Sequence, residues 1–336
     1  MRDQARLESA LFSRPASWLK QIFVREISPQ ILAAMVQRYR PVAAGDLAFE
    51  PVATGKFNTS FFVRAGGEDL VLRIAPSRDE VFVFYERDMM RLEPAIHALL
   101  RQRTRVPVAS IVAFDESHEL IERSFMLMER LPGKPLGEAP QVDFAQVLRQ
   151  VGEFLAEVHG IGNEKFGYLG AHHPMEGQDS WAAAFALMWR KLIDDIVGVG
   201  YYDQGDSRLL LGLLEQHLGL FERPVSARLL HMDIWHQNIL VDDLGLVRGL
   251  VDWDRALWGD PEIEFAVLDY CGIAEPAFWE GYGRQRDASD EARVRQVFYL
   301  LYELQKYIVI RAGRNRDPAG ARRYKGQVMK VVENFM

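Results

Sequence analysis

Asp233, Asn238 five residues on and Asp252 fourteen residues after that are spaced for phosphoryl transfer. That chemistry needs one group to orient a hydroxyl and accept its proton, and two oxygen ligands to hold magnesium against phosphate. The run from His231 to Asn238 reads H-M-D-I-W-H-Q-N, and Asp252 closes the apolar run in Val251-Asp252-Trp253-Asp254. Taken singly, the three could be a turn residue, a loop cap and a strand end. Their joint spacing is what points to chemistry.

The elements that must position them follow from hydrophobic periodicity. Residues 1 to about 46 carry a helical pattern (Ile31, Leu32, Met35, Val36, Tyr39) that stops at Pro41 and Gly45, a leading helical extension. From about 48 to 130 the texture is of strands, Ser60 to Arg64, Asp69 to Ala75, Ser110 to Phe114 and Phe125 to Arg130, with one helix expected from about Tyr85 to Arg101. Pro132-Gly133-Lys134-Pro135 then punctuates the chain, and helices dominate beyond it, near Trp181 to Val197, Arg208 to Leu220, Glu264 to Cys271 and Glu291 to Ala312. The expected division is 1–47 extension, 48–130 small lobe and 131–336 large lobe.

With 336 residues, two lobes are the natural expectation for one chain. A formal charge of −7 and a pI near 5.7 argue against nucleic acid as a partner. The single cysteine, Cys271, excludes an internal disulfide and a cysteine-rich metal site, and fits a reducing cytoplasm. No window approaches a membrane span and the start lacks an apolar signal core, so neither insertion nor export is expected. His172-His173 has no third ligand at a recognisable spacing.

The segment from Leu229 to Ala266, H-x-D-x-x-x-x-N followed by V-D-W-D-R-A-x-x-G-D-P-x-x-E-x-A, resembles the aminoglycoside phosphotransferase family, its hygromycin-type branch in particular. The resemblance implies an α+β, two-lobed protein-kinase-like fold, with a small antiparallel sheet plus helix in the N-lobe and a mostly helical C-lobe. It implies a Mg2+-dependent kinase that moves the terminal phosphate of ATP or GTP to a hydroxyl of a small molecule. In that pattern Asp233 is the catalytic carboxylate, Asn238 and Asp252 hold the metal, His231 packs the loop, and Asp260 braces the loop through backbone N–H groups. A protein kinase is disfavoured, because only six residues separate Asp252 from Gly259-Asp260-Pro261.

The same resemblance assigns nucleotide-binding parts to the first lobe. The turn Thr54-Gly55-Lys56-Phe57-Asn58-Thr59-Ser60 is the phosphate cover, with Gly55, Asn58, Thr59 and Ser60 at the phosphates; its residues do not form a Walker sequence. Arg73, in Leu72-Arg73-Ile74, stands where protein kinases carry lysine; its forked cation suits phosphate oxygens. Its carboxylate partner is expected to be Glu93, with Glu86 as the rival. Met128, Glu129 and Leu131 form the expected adenine hinge, through the Glu129 carbonyl, the Leu131 N–H and the Met128 side chain.

Substrate choice is less legible. Asp194, Asp195, Glu262, Glu264 and Glu275 could receive a polycationic antibiotic by charge complementarity. The tryptophans could stack on a ring, though helical spacing favours core packing. The expectation is a small-molecule O-phosphotransferase acting on an antibiotic or on a sugar or amino alcohol, with a catalytically inactive nucleotide-binding regulator as the rival. The oligomeric state is not readable.

Overall fold

A computed structural model describes residues 27–52, 57–77 and 81–336. The chain divides into two compact units, the first made of described residues up to Ser77 together with Ala109–Leu131, the second of Val81–Val108 and Pro132–Met336.

The first unit is a five-stranded antiparallel sheet with spatial order β1-β2-β3-β5-β4, formed by β1 (Leu47–Pro51), β2 (Thr59–Ala65), β3 (Glu68–Ile74), β4 (Ile111–Asp115) and β5 (Phe125–Glu129). Gly66 and Gly67 join β2 to β3 with φ of +57° and +91°, the left-handed pair that a two-residue hairpin turn requires. Alternation along β2 turns Phe61, Val63 and Ala65 inward, and these pack with Leu70, Leu72, Phe125 and Leu127. Helix α1 (Pro29–Gln37) starts at Ser28, whose hydroxyl accepts from Ile31 N, and adds Leu32, Met35 and Val36 to the same core. The described part of the expected extension is therefore part of the sheet's packing; residues 1–26 lie outside the described residues.

The second unit holds helices α2 (Glu93–Arg103), α3 (Phe144–Val158), α4 (Trp181–Gly198), α5 (Gln204–His217), α6 (Pro261–Tyr270), α7 (Pro276–Tyr282), α8 (Asp290–Ala312) and α9 (Pro318–Phe335). Two short sheets, β10-β9-β6 and β11-β8-β7, complete it, from β6 (Lys134–Pro135), β7 (Gly162–Asn163), β8 (Ala227–Leu230), β9 (Ile239–Val241), β10 (Val247–Leu250) and β11 (Leu257–Gly259). One apolar cluster gathers Trp181, Phe185, Trp189, Tyr299 and Tyr302 around α4 and α8, the other Val147, Val151, Ile239, Leu250 and Trp253 around α3 and β9–β10. Trp181 and Trp189 are core, as their helical spacing suggested.

The helix boundary furthest from its expected place is the start of α2. A helix was expected from about Tyr85, but α2 starts at Glu93, where Pro94 fixes the first turn. Upstream, Asp88 is left-handed (φ 55°) and Met89–Arg91 form one 3-10 turn, so Glu86 and Glu93 do not share a helix face. Helix α7 was not resolved as an element by periodicity. Among the described residues no helix is long and apolar enough to cross a membrane.

Candidate active site

The hairpin β9–β10 sets the geometry. Ile239 stands opposite Leu250, and Val251 N donates to Asn238 O at 3.0 Å. Asn238 and Asp252 therefore emerge at the same end of one hairpin, because their chain neighbours are paired across it. β8 ends at Leu230, so His231 to Asn238 is the loop joining β8 to β9.

Inside that loop Asn238 Nδ2 donates to Asp233 O at 2.9 Å and to Asp233 Oδ2 at 3.1 Å. Both amide hydrogens are thereby spent on Asp233, and the amide oxygen is the atom Asn238 can offer a cation. The other Asp233 oxygen, Oδ1, accepts from Arg255 Nη1 at 3.0 Å, and its side chain remains 22% exposed. Arg255 is held in turn by Glu86 at 3.4 Å, and Glu86 also takes Arg314 at 3.3 Å and Val83 N at 3.0 Å. Burial opposes the charge of Arg255, yet Asp233, Tyr85, Glu86 and Asp254 outweigh it, so its pKa is pushed further up.

Two residues of this region have left-handed backbone, Met232 (φ 65°) and Asp252 (φ 66°). For a non-glycine residue that conformation costs about 1–2 kcal/mol, and it persists only where the surroundings over-determine it. For Met232 the determinant is Glu264, fully buried, whose Oε1 accepts from His231 N at 2.9 Å and Met232 N at 2.7 Å. Its Oε2 pairs with His159 Nε2 at 2.7 Å, and His159 Nδ1 with the Tyr282 hydroxyl at 2.8 Å.

This corrects the expected brace. Asp260 does not reach the loop's N–H groups; it caps α6 through Glu262 N at 3.1 Å and holds Arg223 at 2.5 Å. Glu264, one helical turn further along α6, is the carboxylate that carries the loop. His231 packs against Trp253 at 4.3 Å, accepts Asp233 N on Nδ1 at 3.2 Å and places Nε2 2.9 Å from Val251 O. Burial lowers its pKa, and the hydrogen-bond pattern suits the neutral ring. His236 lies against Phe144 at 5.5 Å, and burial lowers its pKa too. Asp254 is buried.

Of the acidic residues that could have received a polycation, three are committed elsewhere. Glu264 braces the loop, Glu262 forms a forked pair with Arg295 at 2.7 and 3.0 Å, and Asp195 accepts Phe84 N at 2.7 Å. Asp194 and Glu275 are exposed.

The first unit carries the expected nucleotide residues on its sheet. Gly55 lies outside the described residues. Asn58 is buried, and Thr59 and Ser60 open β2, where Ser60 stands opposite Arg73 of β3. Arg73 is 7% exposed, with Met126 of β5 on its other side. Met128 is buried at the end of β5, Glu129 N donates to Ser110 O at 2.9 Å, and Leu131 is half-buried. In the second unit, Glu93 is fully buried in the first turn of α2, 4.0 Å from His97 Nε2.

Arg255 escaped the sequence reading. Its signal is local: the 3-10 turn Trp253–Arg255 has three residues per turn and returns position 255 to the side of Asp252. Glu86 and Arg314 carry no such local signal, since they meet across 228 residues of chain.

Comparison with known proteins decides the kinship. Residues 48–297 match the phosphotransferase enzyme family, APH. The chain belongs to that family. A probable ketoamine kinase of Vibrio parahaemolyticus is 26% identical over 232 residues, 66% of this chain and 74% of that one. Hygromycin-B 4-O-kinase of Escherichia coli is 23% identical over 254 residues, 71% of this chain and 67% of that one. Among solved structures, aminoglycoside phosphotransferase APH(4)-Ia in ternary complex with AMP-PNP and hygromycin B is similar with a TM-score of 0.64 at 17% identity, covering 90% of this chain and 97% of that one. This member of the phosphotransferase family thus has the protein-kinase-like fold, a small antiparallel sheet with helices and a mostly helical C-terminal part, and is a kinase-type enzyme acting on a small molecule.

Proposed function

We propose that this phosphotransferase moves the terminal phosphate of ATP or GTP to a hydroxyl of a sugar-derived small molecule, a ketoamine in the first instance. The observation that carries the reading is Asp233, fixed from two sides by Asn238 and Arg255 yet partly open to solvent, with Asn238 sharing one end of a hairpin with Asp252. In this reading Asp233 orients the acceptor hydroxyl and takes its proton as the new O–P bond forms and the bond from the terminal phosphorus to the bridging oxygen breaks; the nucleoside diphosphate leaves.

Asn238 and Asp252 would hold magnesium, which supplies charge neutralisation at the phosphate oxygens when bound. No group of three or more His, Cys, Asp or Glu side chains is arranged around a metal position among the described residues. Two protein ligands completed by phosphate and water is the form magnesium commonly takes, and the residues present fit it. Ser60 and Arg73, opposite one another on the sheet, are proposed to face the phosphates with Gly55, Asn58 and Thr59. Met128, Glu129 and Leu131 are proposed to meet the base. Glu93 is proposed as a further carboxylate of the nucleotide machinery. Use of ATP or GTP would place the enzyme in the cytoplasm.

The ketoamine assignment is supported by relatives named as probable ketoamine kinases, among them those of Vibrio parahaemolyticus and Klebsiella aerogenes. The second reading, an aminoglycoside acceptor, is favoured by the similarity to hygromycin-B 4-O-kinase. A coupled assay of nucleotide turnover over a fructose-derived amine, free sugars, hygromycin B and kanamycin separates them. Acceptor-dependent diphosphate release with the fructose-derived amine, abolished by Asp233→Asn, is the expected result. Tight nucleotide binding with no acceptor giving turnover would replace the enzyme with a nucleotide-binding regulator.

A further inference from the structure

The middle of α8 carries an ion pair where a helix packed into an aromatic core would be apolar. Glu303 and Lys306 are 2% and 3% exposed, and Lys306 Nζ lies 2.7 Å from Glu303 Oε1. Neither Glu303 oxygen accepts a hydrogen bond, so the contact is an ion pair without the aligned bonds that would complete it. A buried pair recovers its desolvation cost only when its remaining lone pairs and protons are satisfied, and replacing it by apolar groups is often neutral or stabilising. Buried polar groups that stay unsatisfied need a reason, and a ligand is one.

The pair lies on the helix that runs into Arg314, and Arg314 is tied to Asp233 through Glu86 and Arg255. Tyr307 is the next residue, half-buried, with its ring 5.2 Å from Lys306 Nζ and stacked on Tyr324 at 4.9 Å. Burial first, then Glu303, and after Cys271 also Asp233, raise the pKa of the Tyr307 hydroxyl. Tyr85 and Tyr168 stack at 4.4 Å, and their hydroxyls feel Glu303 together with Glu86 and Arg255. Just past the end of α8, Arg314 joins Glu86, which holds Arg255 against Asp233.

We propose that Glu303 and Lys306, with Tyr307, form an acceptor-binding site that reads the hydroxyl groups of a sugar moiety; the inference rests on Asp233 being the residue at which the acceptor is phosphorylated. The pair is neutral in sum, so it offers a polycation no net attraction. It does present lone pairs beside ammonium donors, the complement of hydroxyls, each of which both donates and accepts. Three of the five acidic residues that could have met a polycation, Glu264, Glu262 and Asp195, are committed to backbone and arginine partners elsewhere in the unit.

The test is the double variant Glu303→Gln/Lys306→Met, which removes both charges at nearly constant volume. It should fold with a melting temperature equal to or above that of the wild type. Its KM for N-fructosyl-lysine should rise at least tenfold, while kcat changes less than threefold and KM for ATP less than twofold. Lys306→Arg keeps the pair's charge, and so its packing, while altering the shape of the donor; it should raise the same KM at least threefold. It decides the matter if the double variant does not fold. An acceptor KM within twofold of wild type in either folded variant makes the pair structural and overturns the proposal. A rise confined to kanamycin, with N-fructosyl-lysine unaffected, overturns the hydroxyl assignment. If the wild type phosphorylates neither compound, the proposed function fails and this site fails with it, a result distinct from an active wild type whose variants match it.

Discussion

Two carboxylates serve the same loop and are built in opposite ways. Glu264 is fully buried and spends its oxygens on His231 N, Met232 N and His159. Asp233 is 22% exposed and is fixed by one amide and one guanidinium. A carboxylate saturated with donors and shut from solvent holds a shape; one that is pinned but open can meet a ligand. Burial alone would have ranked them in the wrong order for chemistry.

The comparison can be broken most forcefully at Asp233. Asp233→Asn should cut turnover by roughly 10²- to 10⁴-fold, the usual worth of a positioned general base, and leave the unfolding midpoint and nucleotide affinity near those of the wild type. Steady-state turnover close to wild type would dismiss the contrast. Glu264→Ala should do the reverse and act first on stability. Two buried N–H groups lose their acceptor, costing about 2–5 kcal/mol, to be read from urea unfolding; an unchanged midpoint would mean that Met232 keeps its left-handed backbone without this support.

Arg255 sharpens the picture from the Asp233 side. Arg255→Ala should lower kcat by up to about 10²-fold, since misplacing a reacting group by an ångström can have that effect. Arg255→Lys should recover part of it, with acceptor KM moving less than kcat in both. A change confined to KM would make Arg255 a binding group.

The smallest effect concerns Asp195, which burial pushes up to about 6 even though Phe84 N donates to it. A carboxyl whose pKa is higher folded than unfolded favours the native state when protonated. Its contribution is therefore most favourable below about pH 4, is lost as pH rises to about 6, and is constant above. Asp195→Asn keeps an acceptor for Phe84 N, removes this slope between pH 4 and 6, and should raise stability at pH 7 by roughly 1–2 kcal/mol, discounted for partial exposure. Thermal unfolding across that pH range is the measurement; a slope equal to that of the wild type would assign it to other groups.

How far each feature was legible depended on the distance its cause spans. Four of the five strands of the first unit were readable because features such as the alternation along β2 and the Gly66-Gly67 turn are local, while β1 (Leu47–Pro51) had no range of its own. The start of α2 was misplaced because the apolar pattern upstream of Pro94 looks helical, whereas Asp88 and the 3-10 turn at Met89–Arg91 are set by packing. Asp260 and Glu264 both sit in the G-D-P-x-x-E run, and only coordinates show which of the two reaches His231 N. Glu264, Glu262 and Asp195, three of the five acidic residues counted as receptors for a polycation, were visible as charges but not as charges already held by partners.

By itself the chain determined that Asn238 and Asp252 would share one end of a hairpin, with Asp233 five residues before Asn238 in the loop that enters it. Five- and fourteen-residue spacings across a short antiparallel pair leave little freedom, and backbone hydrogen bonds such as Val251 N to Asn238 O enforce it. Only the tertiary structure decided what surrounds them. Arg255 meets Glu86 across 169 residues and Arg314 meets Glu86 across 228, and such contacts come from the packing of α8 and the segment before α2, which no local pattern encodes. Short-range geometry is written in spacing, whereas the partners that ionise, brace or bind are selected by which distant surfaces exclude water together.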